Sequence, residues 1–298
     1  MYGARCRDKM LKLAGIEVDA VSVGGLETCI ELPGFDLALD IGRCPMSAVK
    51  RPRVLFTHAH MDHMGGLAYH AAMRDLQGMR PPTYLVPREN HADVGALLDA
   101  WRRLDRSSLP CTVVACGPGD RVDIGGGRFA EPFRSPHRVP CQGYALISTR
   151  KKLKPELLHL TPSELQVRRA AGVELSETTE VVDVAFSGDS VIDVVDREEK
   201  VRKARLLILE VTFLDDRVPV DKARSKGHVH LDEVVARADL FENEALLFTH
   251  FSARYRRDDI LRILDARLPA LPARPGDAAP ARGVGLGGRR RSPRAASR

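Results

Sequence analysis

The densest chemistry in the chain lies in one short stretch, Thr57-His58-Ala59-His60-Met61-Asp62-His63-Met64-Gly65-Gly66. Its histidines and aspartate form the nitrogen and oxygen donor set that zinc prefers. The stretch follows the apolar run Val54-Leu55-Phe56. A buried strand that stops at Thr57 leaves the donors on an irregular loop, where they can turn towards a common point. Alternate residues of an extended segment share a face, so His58 and His60 can grip one ion while Asp62 and His63 face a second. A merely solvated polar loop has no need of such a density of donors directly after an apolar strand.

The same pattern, an apolar run discharging into a titratable residue, recurs downstream. Val184-Ala185-Phe186 leads to Ser187-Gly188-Asp189, Leu206-Leu207-Ile208-Leu209 ends in Glu210, and Leu246-Leu247-Phe248 leads to Thr249-His250. Ser135-Pro136-His137 stands ahead of a strand over 144–147. The ends of adjacent strands lie along one rim of a sheet, so these residues would meet there. Asp40 follows the run Leu37-Ala38-Leu39 and either supports the histidine loop or is an ordinary turn aspartate. His70, His91 and His159 read as structural.

The elements that must position these groups are legible from periodicity. Residues 18–23 and 27–32 read as a strand pair around Gly24-Gly25, with further strands over 37–39, 83–86, 113–115 and 121–124. Helical spacing runs over 67–77, 92–104 and 162–171. Strands interleaved with helices indicate a mixed α/β domain.

The chain has 298 residues, 44% of them hydrophobic, enough for one large domain. No apolar run approaches the roughly 20 residues that span a bilayer, and the charged first 13 residues do not read as a leader, so a soluble, cytoplasmic protein with no membrane partner is expected. Cys6, Cys29, Cys44, Cys111, Cys116 and Cys141 show no CxxC spacing, which indicates reduced thiols rather than a disulfide frame. The net charge of +6 is misleading as a sign of nucleic-acid binding. From Arg267 onward stand eight arginines and one acid, Asp277, and the remainder is 38 basic against 39 acidic residues. The tail, 269–298, rich in Ala, Pro, Gly and Arg without periodicity, is expected to be disordered. It either adds weak electrostatic affinity for RNA or is simply solvated.

The ordered series His58-x-His60-x-Asp62-His63, then His137, then Gly188-Asp189, then His250 resembles the metallo-β-lactamase superfamily. More narrowly, Thr249-His250-Phe251-Ser252-Ala253-Arg254-Tyr255 resembles the terminal motif of ribonuclease Z, the family of tRNA 3′-processing endonucleases. So do His137-Arg138-Val139-Pro140 with Gly143-Tyr144, and Glu210-Val211-Thr212-Phe213-Leu214-Asp215-Asp216. The likeness is to the short, single-domain form and runs over residues 15–268.

That resemblance implies an α/β (α+β) fold, a four-layer αββα sandwich with a dinuclear metal site at one edge, occupying 1–268. It implies two Zn2+ per subunit, with Mn2+ as a substitute: His58, His60 and His137 on one, Asp62, His63 and His250 on the other, and Asp189 bridging. Asp62 would orient the attacking hydroxide or take its proton, and His228 paired with Glu210 would protonate the leaving ribose 3′-oxygen. Gly227-His228-Val229-His230 replaces a small, hydroxyl-rich family run, so His230 contests the acid role. Ser190 stands where threonine is common, and Val23-Gly24-Gly25-Leu26-Glu27-Thr28 replaces a phosphate-contacting Pro-x-Lys loop. Ser252 and Arg254 would contact substrate phosphates, or Arg254 would brace its loop against a carboxylate. Residues 150–181, opening Arg150-Lys151-Lys152-Leu153-Lys154-Pro155, are either a tRNA-gripping arm or a plain surface insertion. The implied function is removal of the 3′ trailer from precursor tRNA by a homodimeric zinc endoribonuclease. The alternative is another metallo-β-lactamase-fold phosphodiesterase or hydrolase acting on a small molecule. A non-catalytic RNA-binding subunit would have lost ligands, and all seven are present.

Overall fold

The computed structural model describes residues 10–268 and 282–284. The first sheet contains β1 (Leu11–Leu13), β2 (Ile16–Val23), β3 (Glu27–Leu32), β4 (Leu37–Ile41), β5 (Arg53–Leu55), β6 (Thr83–Pro87) and β7 (Thr112–Cys116), paired in chain order. The second contains β8 (Val122–Gly125), β9 (Arg128–Arg134), β10 (Gln142–Leu153), β11 (Ser176–Phe186), β12 (Leu206–Glu210), β13 (Ala245–Thr249) and β14 (Arg282–Val284), again neighbour to neighbour. On the first sheet lie α1 (Met61–Met64), α2 (Leu67–Leu76) and α3 (His91–Asp105). Between β10 and β11 comes α4 (Pro162–Ala170); on the second sheet lie α5 (Asp193–Arg197), α6 (Glu199–Lys203), α8 (Leu231–Val235) and α9 (Arg257–Arg267), while α7 (Val220–Ser225) packs through Ala223 on Phe213 and Val218.

Three cores make the four layers. Leu39, Leu55 and Leu85 of the first sheet meet Tyr144, Phe186 and Ile208 of the second in a core between the sheets. Alternate residues serve the outer cores: Val54 and Tyr84 pack on Leu67 and Leu98, while Leu207 and Leu209 pack on Val201 and Ile263. Strands buried on both faces carry apolar side chains on both, which is why β12 and β13 read as unbroken apolar runs up to the polar residues that end them, Glu210 and Thr249. Burial of a leucine or phenylalanine on either face stabilises the sandwich by about 1.5–3 kcal/mol.

The parallel pairs β4-β5 and β11-β12-β13 end at the rim that carries the titratable residues. At Asp40, where the pairing of β3 with β4 shifts register, and at His250, directly after β13, the backbone is left-handed, with φ of 55° and 60°.

The expected strands and helices are all present, and the additions have local causes. β9 contains Pro132, opposite Tyr144 of β10, and proline argues against a strand in sequence reasoning. α1 is a single turn inside the histidine motif, too short for periodicity to show. The basic opening of residues 150–181 is strand: β10 and β11 continue as a hairpin to the pair Leu153↔Ser176, and α4 sits at its tip behind a Thr161/Glu164 capping box. In the tail expected to be disordered, β14 lies parallel to β13; residues 269–281 and 285–298 lie outside the described residues, as does Cys6.

Gly42 is where β4 meets α1. A Cβ there would stand 1.9 Å from the Asp62 carbonyl oxygen, so the helix carrying Asp62 and His63 can sit against the strand end only because residue 42 has no side chain. Gly42→Ala is expected to cost about 3 kcal/mol, the upper part of the overpacking range. Denaturant titration reads this as a lower midpoint; an unchanged midpoint would contradict the packing.

Candidate metal centre

Asp40, fully buried at the end of β4, orders the histidine loop. Its Oδ1 accepts the Thr57 backbone N–H at 2.8 Å, and its Oδ2 accepts both the Thr57 hydroxyl and His63 Nδ1–H, each at 2.8 Å. The Thr57 hydroxyl, having given its only proton to Asp40, accepts from His58 Nδ1–H at 3.0 Å. One carboxylate therefore fixes the tautomer of two imidazoles and leaves both Nε2 lone pairs facing the rim.

Glu210, at the end of β12, repeats the device from the other sheet. Its Oε2 accepts the Thr212 hydroxyl at 2.7 Å, and that hydroxyl accepts from His250 Nδ1–H at 3.0 Å. Its Oε1 accepts from His228 Nδ1–H at 2.9 Å and from the Ser190 N–H at 3.1 Å. His137 is set by a backbone group, its Nδ1–H donating to the Gly227 carbonyl at 2.8 Å.

The free donor atoms converge on Asp189. Its Oδ2 lies 3.7 Å from His58 Nε2 and 3.9 Å from His137 Nε2, and its Oδ1 lies 3.3 Å from His63 Nε2 and 3.4 Å from His250 Nε2. Asp62 Oδ2 stands 3.7 Å from His63 Nε2 and 3.5 Å from His250 Nε2. His60 Nδ1 is 2.9 Å from His58 Nε2. Two donor sets result, His58, His60, His137 and Asp189, and Asp62, His63 and His250, with one oxygen of Asp189 on each side.

These residues fit a metal. Donors about 2.1 Å from a tetrahedral zinc are about 3.4 Å apart, the spacing seen here. His137 Nε2 and Asp189 Oδ1 are buried without a hydrogen-bond partner, a costly state that a cation relieves. Burial lowers the pKa of His58, His60 and His137, favouring the neutral imidazole that coordination needs. At His63 burial acts the same way, but the Asp189 and Asp40 carboxylates outweigh it and raise the pKa, so Nε2 attracts a positive charge. Burial would raise Asp189, yet the surrounding imidazoles, His250 and His63 foremost, hold it well below the usual carboxylate range.

Residues 33–251 match the β-lactamase superfamily domain. The chain is 38% identical to tRNase Z TRZ1 of Arabidopsis thaliana over 270 residues, which cover 90% of this chain and 96% of that protein. The chain belongs to the tRNase Z family. It is also 33% identical to the chloroplastic tRNase Z TRZ2 of the same plant, over 85% of this chain and 72% of that one. The fold is the metallo-β-lactamase fold. The short form of human tRNase Z superposes with a TM-score of 0.54 at 19% identity, over 80% of this chain and 93% of that one, and a metallo-β-lactamase fold protein from Bacillus subtilis with 0.56 at 16%, over 85% and 93%.

Within this tRNase Z family member, His228 and His230 have different surroundings. His228 stacks on His250 with ring centroids 5.3 Å apart and offers a ring nitrogen within 4.8 Å of the donor atoms of Asp189 and His250. Burial alone would lower its pKa, but the Glu210 charge and hydrogen bond prevail and raise it to about 9. His230 is buried with both nitrogens committed: Nδ1 accepts the Asp232 N–H and caps α8, and Nε2–H donates to the Asp215 carbonyl. Ser252 and Arg254 follow His250, and the Arg254 guanidinium lies 5.9 Å from the Phe213 ring. Among the described residues Arg254 has no carboxylate partner, so the carboxylate brace expected for it is absent; Phe213 takes that place.

Some contributors carry no sequence signal of their own. Thr57 and Thr212 are ordinary in the sequence, and the Gly227 carbonyl is backbone. The Gly24-Gly25 turn, read as joining two strands and as standing in place of a phosphate-contacting loop, reaches the donors themselves: Gly25 N–H donates to Asp62 Oδ2 at 2.8 Å, and a Cβ on Gly24 would stand 2.9 Å from the His250 carbonyl oxygen. His70 is structural, its Nδ1 bonded to the Tyr84 hydroxyl and its Nε2 to the Ala48 carbonyl. No helix among the described residues is long and apolar enough to cross a membrane.

Replacing Asp40 by Asn keeps the shape and removes the charge that orients His63 and Thr57. Asp40→Asn is expected to weaken zinc binding about 10–100-fold in a chelator competition; undiminished affinity would show that Asp40 does not govern the donors.

Proposed function

We propose that the chain is a zinc-dependent endoribonuclease that removes the 3′ trailer from precursor tRNA, leaving a 3′-hydroxyl on the tRNA. The observation that carries this reading is the 38% identity along nearly the whole of a tRNase Z. The donor arrangement supports it: His58, His60 and His137 would hold one zinc, Asp62, His63 and His250 a second, and Asp189 would bridge. When bound, the two zinc ions, or manganese in their place, would stabilise charge on the phosphodiester and lower the pKa of the attacking water.

The side chains do the rest. Asp62, held by Gly25 N–H, takes the proton of the attacking water. His228, charged at neutral pH by its contact with Glu210, donates a proton to the leaving ribose 3′-oxygen. Arg254 and Ser252 contact substrate phosphates beside that donor. The β10-β11 hairpin with α4 grips the body of the tRNA, and two copies of the chain act together. Curated relatives include a chloroplastic and a nuclear protein, so family membership does not by itself assign the expected cytoplasmic location.

Purified protein incubated with a 3′-extended precursor tRNA is expected to cut beside the discriminator base, and a chelator to abolish the cut. Cleavage elsewhere, or turnover of small phosphodiesters only, would overturn the tRNA reading.

The two histidines separate in a second experiment. His228→Ala should slow cleavage about 10²–10⁴-fold with metal content retained. His230→Ala should instead cost about 1 kcal/mol of stability through loss of the α8 cap. The reverse pattern would reassign the acid.

A further inference from the structure

Two of the exposed large apolar side chains stand at the metal centre. Met61, 79% exposed, lies between the donors His60 and Asp62 at the start of α1, and Leu26, 44% exposed, closes the turn between β2 and β3. In that turn Gly25 has a φ of 73°, and Leu26 N–H donates to the Val23 carbonyl at 2.9 Å. The bond from Gly25 N–H to Asp62 Oδ2 pins the turn against α1. Leu26 and Met61 are therefore each one residue from an end of the same hydrogen bond at the rim. The turn is fixed from its other side as well, because Gly24 N–H donates to the Phe251 carbonyl at 3.0 Å and Gly24 bridges to Ser252. Among the described residues neither Leu26 nor Met61 belongs to a hydrophobic core, so packing does not account for them.

We propose that Leu26 and Met61 form an apolar seat for the base of the first trailer nucleotide, the one immediately 3′ to the cut. The proposal rests on the reading of the chain as a precursor-tRNA endonuclease and adds how the downstream side of the cut is held. In-line attack sets the water and its base, Asp62, opposite the leaving 3′-oxygen and its acid, His228. The discriminator nucleotide carries that leaving oxygen and so lies with His228. The nucleotide that keeps the phosphate, the first of the trailer, is left to the Asp62 side, where Leu26 and Met61 stand.

The chemistry of the seat selects a base over a phosphate. The turn carries no cation, and Glu27 follows Leu26 directly. Apolar side chains hold a base by its face, and the methionine thioether, unbranched and polarizable, adapts to the face of a purine or a pyrimidine. With no hydrogen-bond donor on either side chain, the seat reads the presence of a base and not its identity.

Three 3′-extended precursor tRNAs test this: one intact, one abasic at the first trailer position, and one abasic at the discriminator. Wild-type kcat/KM is expected to fall about tenfold when the first trailer base is missing. Leu26→Ala and Met61→Ala should each narrow that gap and together close it, while leaving the penalty for an abasic discriminator as it is in the wild type. Met61→Leu, which keeps the apolar bulk, should keep the gap. Each gap is a ratio within one protein, so a general loss of activity from a change in α1 cancels. Equal wild-type rates with and without the first trailer base would overturn the seat, as would alanine variants that keep the full gap, variants that erase the discriminator penalty instead, or Met61→Leu no better than Met61→Ala. Failure to cut even the intact precursor would remove the tRNA reading and the seat with it, whereas intact cutting with no gap removes the seat alone.

Discussion

Two buried carboxylates, Asp40 and Glu210, hold the centre together by the same device. Each accepts the hydroxyl proton of a threonine, Thr57 or Thr212, and that hydroxyl in turn accepts the Nδ1–H of a histidine, His58 or His250. Each also accepts a second imidazole directly, His63 or His228. Burying a charge is costly unless its lone pairs are filled, and both carboxylates meet that condition by aligning rings. Proton placement at the rim is thereby decided by two carboxylates that are themselves buried.

The device works across the sandwich because its halves come from different sheets. Asp40 and the histidine loop belong to the first sheet, and Asp189, Glu210 and His250 to the second. The core of Leu39, Leu55, Phe186 and Ile208 between the sheets sets the distance over which Asp189 meets His63 and His58. Close packing makes that distance stiff, so the donor atoms are held at coordination spacing by hydrophobic burial remote from them. The Gly24-Gly25 turn and Gly42 extend the same logic, since backbone contact at both places leaves no room for a side chain.

The hairpin of β10 and β11 is rooted in this centre. Gln142 N–H at the start of β10 donates to the Thr57 carbonyl at 3.0 Å, and β11 ends at Phe186, shortly before Asp189. A segment that reads in sequence as a basic insertion is therefore continuous with the strands that carry the donors. On the opposite side, α2 and α3 expose the apolar surface that the α5 to α9 layer lacks among the described residues. The molecule thus presents a polar rim, a protruding hairpin and an apolar flank as three separate surfaces.

The sequence by itself determined the strands and helices, because apolar runs and helical spacing report burial residue by residue, as in residues 206–209 of β12 and 245–248 of β13, whereas their stacking into four layers was implied only by the family resemblance. It also determined which residues could be donors, since the clustering of His58, His60, Asp62 and His63 after a strand is a local pattern. Tertiary structure alone decided the relations between distant residues. That His230 caps α8 while His228 faces the site depends on Asp232, Asp215 and Glu210, which spacing cannot rank. That Arg254 lies over Phe213 and not against a carboxylate, and that Asp189 turns one oxygen to each donor set, are matters of where chain segments meet. Side-chain type is written in the chain; which lone pair faces which proton is set only when the two sheets close on one another.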